Sequence, residues 1–395
     1  MSSPLRIVVT GFIAQYPLGG VTWDYFQYVL GLARLGHDVY YLEDTGQWPY
    51  NPVEVGLSYD CAFNVKHLAG LMSRFGLANR WAYHAQLGGG RENLPKKSQW
   101  FGLPDKERIE IIRSADLLIN ISGTLARPEK YRQVRQLAYI DSDPVFTQVK
   151  LARGQEDFRS MVDAHDVYFS FGERSSSAVP PTGHRWRPTR QPIVLSEWHP
   201  SMPHRGVFTT IMNWTSHNSV AYRGQTYGQK DVEFKRFLEL PGLVAPTNLE
   251  IAINLGRTRR TPRELLAYKG WRVVEPAEVC ADFDCYRDYI ESSKAEWSVA
   301  KNGYVLGQPG WFSCRSACYL AAGRPVVVQD TGFAEVLPVG EGILAFRTIE
   351  EATAAIREVE DNYERHAKAA RAIAEEYFDS SKVLRRLIDE AQEVY

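Results

Sequence analysis

Apolar residues in this chain occur in two forms, short unbroken runs and stripes at helical spacing, and the two alternate. Arg6-Ile7-Val8-Val9-Thr10 is an unbroken β-branched run, which predicts a strand buried on both faces, as in a parallel sheet. A loop with Pro17-Leu18-Gly19-Gly20 follows. Tyr25, Tyr28, Val29, Leu32 and Leu35 then mark one face of a helix, Gly36 ends it, and Val39-Tyr40-Tyr41-Leu42 opens the next strand. Strand, glycine loop, helix and strand make a βαβ unit. Further strands are predicted over 117–121, 137–140 and 167–170, each ending in small or acidic residues, where open α/β sheets place ligand-contacting loops.

The stretch 175–205 is rich in Pro, Ser, Arg and Trp and has no sustained period. It reads as a connection between domains, with one short strand over 193–195. A second α/β series follows, with strands predicted over 207–212, 249–254, 271–274, 304–306, 325–328 and 342–346. Helices fit 231–238, 261–268, 285–295 and 313–322, and the charged, Ala-rich remainder from 349 is helical with a break near Phe378-Asp379-Ser380. The expected organisation is an α/β domain over 1–200, a second over 201–375, and a helix over 376–395 packing back on the first.

Charge and composition narrow the partners. With 46 Lys and Arg against 47 Asp and Glu, the net charge of −1 gives no basic excess for a general nucleic-acid binder. Five cysteines in 395 residues give no disulfide framework and suit a reducing compartment. The opening MSSPLRIVVTGF has no long apolar segment before a cleavage site, and no run reaches about 18 apolar residues, so neither a signal peptide nor a transmembrane segment is expected. The expectation is a cytoplasmic protein.

The densest local signal is the stretch 310–328. A loop opens a helix at Ser313, with Arg315 and Ser316 in its first turn, Gly323 ends it, and Pro325 begins a buried strand. Unpaired N–H groups and a partial positive charge at a helix start favour a diphosphate, and Arg315 adds a fork of donors. Trp214 and Thr215, beyond the first strand of the second series, are candidates for stacking on a ring and bonding phosphate. Cys280–Cys285 and Cys314–Cys318 lack zinc spacing, so no metal site is expected. Gly88-Gly89-Gly90 has no following Lys-Ser/Thr and reads as a loop, and Arg257-Thr258-Arg259-Arg260 as a basic turn.

The run Ala321-Ala322-Gly323-Arg324-Pro325-Val326-Val327-Val328, then Asp330-Thr331-Gly332-Phe333-Ala334-Glu335 and Gly340-Glu341-Gly342, resembles the C-terminal domain of GT-B glycosyltransferases. Gly19-Gly20, Gly36-His37-Asp38-Val39, Ser170-Phe171-Gly172-Glu173 and Tyr227-Gly228-Gln229-Lys230-Asp231 are similar to further segments of that group, in the same order. The resemblance implies two Rossmann-like domains facing across a cleft, closed by C-terminal helices that cross back to the first. A nucleotide-sugar donor would lie on the second domain and a glycan or small-molecule acceptor on the first, with no metal or other cofactor. Gly19 and Gly20 would let backbone approach the donor. Lys230, Ser313, Arg315 and Ser316 would surround its phosphates, and Glu335 its sugar or ribose.

Retaining members of the similar group carry two glutamates eight positions apart, and here those positions are Gly310 and Cys318. This leaves an inverting enzyme, a diverged retaining one, or a fold without transfer activity; an epimerase acting on the nucleotide sugar is a further alternative. An inverting reaction needs a general base on a first-domain loop. Asp24 is the first candidate, and Asp141 and Asp143 are the second.

Overall fold

The computed structural model describes residues 3–88, 97–256 and 262–393. Two sheets organise it. The first contains β1 (Arg6–Thr10), β2 (Asp38–Glu43), β3 (Trp81–Gln86), β4 (Ser98–Gly102), β5 (Leu117–Ile121), β6 (Leu137–Asp141), β7 (Val167–Ser170) and β8 (Trp186–Pro188). Their spatial order is β8-β7-β6-β5-β1-β2-β3-β4, parallel except for the antiparallel pair β3–β4. The second contains β9 (Val207–Thr215), β10 (Asn248–Gly256), β11 (Arg272–Val274), β12 (Ala295–Ser298), β13 (Val326–Gln329) and β14 (Ile343–Phe346), in the order β11-β10-β9-β12-β13-β14. That is the doubly wound 3-2-1-4-5-6 order, and ligands of such sheets bind beyond the carboxyl ends where the order reverses. Here the reversal lies between β9 and β12; in the first sheet it lies between β1 and β5.

Seven helices matter for the site: α1 (Gly19–Arg34), α2 (Lys230–Phe234), α3 (Phe283–Ser292), α4 (Asn302–Gly307), α5 (Cys314–Ala321), α6 (Tyr363–Ile373) and α7 (Ser380–Gln392). The apolar stripe of α1 is buried because it lies between the first sheet and α7; Tyr28, Val29 and Leu32 share one core with Leu384, Leu387 and Ile388. The chain passes between lobes twice, before β9 and before α7. The two passages are hydrogen-bonded to each other, Ile193 N–H to Phe378 O at 2.7 Å and Ser380 N–H to Ile193 O at 2.8 Å. Among the described residues no helix is long and apolar enough to cross a membrane.

Several elements differ from the sequence reading. The segment 304–306, predicted as a strand, lies in α4; a three-residue apolar run fits either period. Residues 193–195 join no sheet and form an isolated bridge from Ile193 to Asp379. Strand β12 emerges where the helix predicted over 285–295 was to end. Gly89, Gly90 and the basic turn at Arg257–Arg260 lie outside the described residues.

Gly19 opens α1 against α3. A Cβ there would overlap the Asp282 carbonyl oxygen and the Tyr286 side chain, while Gly19 N–H donates to Cys280 O at 3.0 Å. Because backbone cannot yield as a flexible side chain does, Gly19→Ala is expected to destabilise the protein by about 1–3 kcal/mol in urea unfolding.

Candidate active site

The reversal point of the second sheet is lined by cations. Arg315, in the first turn of α5, sends Nε to Glu296 Oε1 at 2.7 Å and Nη1 to Ile211 O at 2.5 Å. Glu296 lies on β12 and is fully buried, so the pair stiffens the guanidinium at the carboxyl end of β9. The second Glu296 oxygen, Ser316 Oγ and Thr215 Oγ1 are buried without a hydrogen-bond partner.

Lys230 begins α2. It has no hydrogen-bond or ion-pair partner among the described residues, and burial, then Arg315 and Lys301, push its pKa well below the usual lysine value, against Glu296. Its position beside Lys301 is built by backbone: Gly303 N–H donates to Gly228 O at 3.0 Å and Asn302 N–H to Gln229 O at 3.3 Å. Gly228 N–H in turn donates to Asn302 Oδ1 at 2.9 Å. The openings of α2 and α4 are thereby clamped together. Three cations gathered this closely, one of them unpaired, suit a polyanion.

The first lobe supplies carboxylates to the facing wall. Asp24, one turn into α1, is partly buried; burial lifts its pKa to about 7, opposed by Arg315. Asp143, beyond β6, accepts from Lys301 Nζ at 2.7 Å, from His217 Nε2 at 3.0 Å and from Tyr304 Oη. These second-lobe groups, Lys301 foremost, outweigh its burial and hold its carboxyl well below the usual range. Glu43 shapes the loop ahead of α1, accepting from Ala14 N–H at 2.9 Å, Gln15 N–H at 2.5 Å and Tyr41 Oη at 2.5 Å. Between the lobes, Ser313, Ser316, Arg315, Ala300 and Trp311 line a cavity of about 10 Å³, room for roughly one water.

Residues 267–389 match a family model described as glycosyl transferase-like. None of the curated proteins matches the sequence. Among solved structures, HepE of Anabaena in complex with UDP-glucose superposes with a TM-score of 0.59 at 11% identity, covering 98% of this chain and 99% of that one. An alpha-glucosyltransferase in complex with UDP gives 0.58 at 12%, covering 98% and 100%. Sucrose-phosphate synthase from Thermosynechococcus elongatus gives 0.54 at 11%, covering 98% of each chain. The fold is GT-B.

In this GT-B frame the predicted residues divide. Lys230, Ser313, Arg315, Ser316 and Thr215 lie at the carboxyl edge of the second sheet. Ser313 holds the N-cap position of α5, yet its hydroxyl makes no capping bond. Asp24 and Asp143 reach the cleft from the first lobe. Asp141 does not serve as a free base: Thr147 Oγ1, Gln148 Nε2 and Ser170 Oγ bond its buried carboxylate at 2.7, 2.8 and 3.0 Å. Trp214 is not a stacking platform; it lies in the second core, edge-on to Phe234 with ring centroids 5.7 Å apart. Gly19 and Gly20 face Tyr286 of α3 rather than open cleft, so their smallness serves packing of protein on protein. Glu335 is 62% exposed and pairs with Arg174 Nε at 2.6 Å.

Sequence reasoning missed Glu296, Lys301 and Tyr304. A charged residue inside an apolar stretch, Ala295-Glu296-Trp297-Ser298-Val299-Ala300-Lys301, was the available signal. The two positions where retaining relatives carry glutamates are closed here. Gly310 has φ +80°, and a Cβ on it would stand 2.8 Å from Arg174 Cβ and 2.9 Å from Arg174 N. Cys318 is buried in the core.

Proposed function

We propose that the protein is a glycosyltransferase that takes a sugar from a nucleoside-diphosphate sugar and passes it, with inversion, to a hydroxyl of an acceptor held by the first lobe. The observation that carries this reading is Lys230: a buried, unpartnered ammonium beside Arg315 and Lys301 is costly unless an anion completes the site. Asp24 is the base. The acceptor O–H proton passes to its carboxylate, the acceptor oxygen bonds to the anomeric carbon, and the bond from that carbon to the β-phosphate oxygen breaks. The electron pair leaves with the nucleoside diphosphate, whose charge Lys230, Arg315 and the donors at the start of α5 stabilise without a metal or other cofactor. The reading is supported by the glycosyl transferase-like match, by the GT-B fold, and by the absence of space for a glutamate at 310. A cytoplasmic location fits the free cysteines.

A thermal-shift screen against UDP, GDP, ADP and dTDP tests it. One of them is expected to raise the melting temperature; at a hundredfold excess over Kd the gain is about 2.7 kcal/mol. No shift with any of the four counts against the donor site. Chromatography of the matching nucleotide sugar after incubation then separates transfer or slow hydrolysis from epimerisation.

A further inference from the structure

We propose that Asp143 is an internal counter-anion that sets the preference of the site between nucleotide-sugar donor and nucleoside-diphosphate product; this rests on the donor reading above. The carboxylate belongs to the first lobe, but its three partners belong to the second. Lys301 Nζ and Tyr304 Oη bond one oxygen and His217 Nε2 the other. Those partners are fixed in turn: Gln229 Nε2 lies 3.1 Å from His217 Nδ1, Phe146 packs edge-on to the His217 ring at 4.5 Å, and Lys301 Nζ lies 5.2 Å from the Phe146 ring centroid. The Gly228–Asn302 clamp places Lys301 beside Lys230. Asp143 therefore projects a fixed negative charge onto the edge of the cation cluster.

The charge balance gives the consequence. Lys230, Lys301 and Arg315 face Glu296 and Asp143, so the cluster retains a single net positive charge. A sugar-linked diphosphate carries two negative charges near neutral pH, whereas the released diphosphate has a further ionisable oxygen on its terminal phosphate. A nearby carboxylate penalises that extra charge more than it penalises the donor, and the departing product is the species that must not linger. Asp143 thus favours donor over product by repulsion, a specificity device acting against the competitor.

The test is titration calorimetry of wild type, Asp143→Asn, Lys301→Met and the double variant with UDP and with UDP-glucose. Asp143→Asn is expected to bind UDP about tenfold more tightly and UDP-glucose by a smaller factor. The gain should vanish in the Lys301→Met background, where there is no freed ammonium to take the product. Lys301→Met alone leaves the carboxylate unopposed and should weaken UDP by at least about tenfold, which gives a readout even if Asp143→Asn folds poorly. If wild type binds UDP while Asp143→Asn binds it equally or less tightly, or Lys301→Met leaves it unchanged, the role of Asp143 is overturned and the donor reading stands. If wild type binds none of UDP, GDP, ADP and dTDP, the donor reading itself fails.

Discussion

Lys230→Met is expected to stabilise the protein and at the same time to remove its catalysis. The two effects share one cause. In the free protein the ammonium is buried beside Arg315 and Lys301 with no hydrogen-bond or ion-pair partner among the described residues, so an apolar side chain of similar length relieves both desolvation and repulsion. With donor bound, that ammonium faces the diphosphate, and losing one such charge-stabilising group lowers turnover by about 10²–10³. Urea unfolding should show a higher midpoint for the variant, and steady-state kinetics a lower kcat. A variant that is less stable and fully active would place Lys230 in the fold rather than in the site. Arg315→Ala gives the complementary result: it strands the buried Glu296 carboxylate, so turnover and stability fall together.

Asp24→Asn should lower kcat/KM by about 10²–10⁴, the usual worth of a positioned base. It should also flatten the pH profile. The base works deprotonated, so with a carboxyl lifted to about 7 the wild-type rate climbs tenfold per pH unit below that value and levels above it. Asparagine, having no proton to lose, abolishes the climb. The stability effect has the opposite sign. A folded-state pKa above the ordinary 3.8 means that stability from this group is fully present below 3.8 and is lost as pH rises through about 7. The amide cannot ionise, so the variant should unfold at higher denaturant than wild type at pH values above 7 while being the poorer enzyme. Unchanged kinetics together with an unchanged profile would remove Asp24 from the reaction.

Both predictions concern groups that the isolated sequence could mark by position. Lys230 and Arg315 stand where doubly wound sheets present helix starts, and Asp24 follows the glycine loop of a βαβ unit whose unbroken apolar strands are easy to read. Trp214 shows how such reading fails. The strand was expected to end at 212, which put the indole in the cleft. In the structure β9 continues to Thr215, so Phe208, Met212 and Trp214 share one face by simple alternation and all three enter the core. Asp141 and Asp143 look equivalent as sequence neighbours at a strand end. Opposite pleats separate them, one bracketed by three side chains of its own lobe and the other reaching into the next. Glu296 and Lys301 escaped because β12 is four residues long and follows a helix without a turn residue that would announce it.

The paired chain passages at Ile193 and Phe378–Ser380 bear on how substrate gets in. The space beneath Trp311 admits no nucleotide sugar while the lobes are closed, so donor entry requires them to part. Because both covalent links run through one clasped spot, connectivity leaves a swing about that pivot as the easy movement and resists sliding or a clean pull apart. Turnover would then be paced by how often the jaws gape, a frequency governed in part by contacts remote from the sugar.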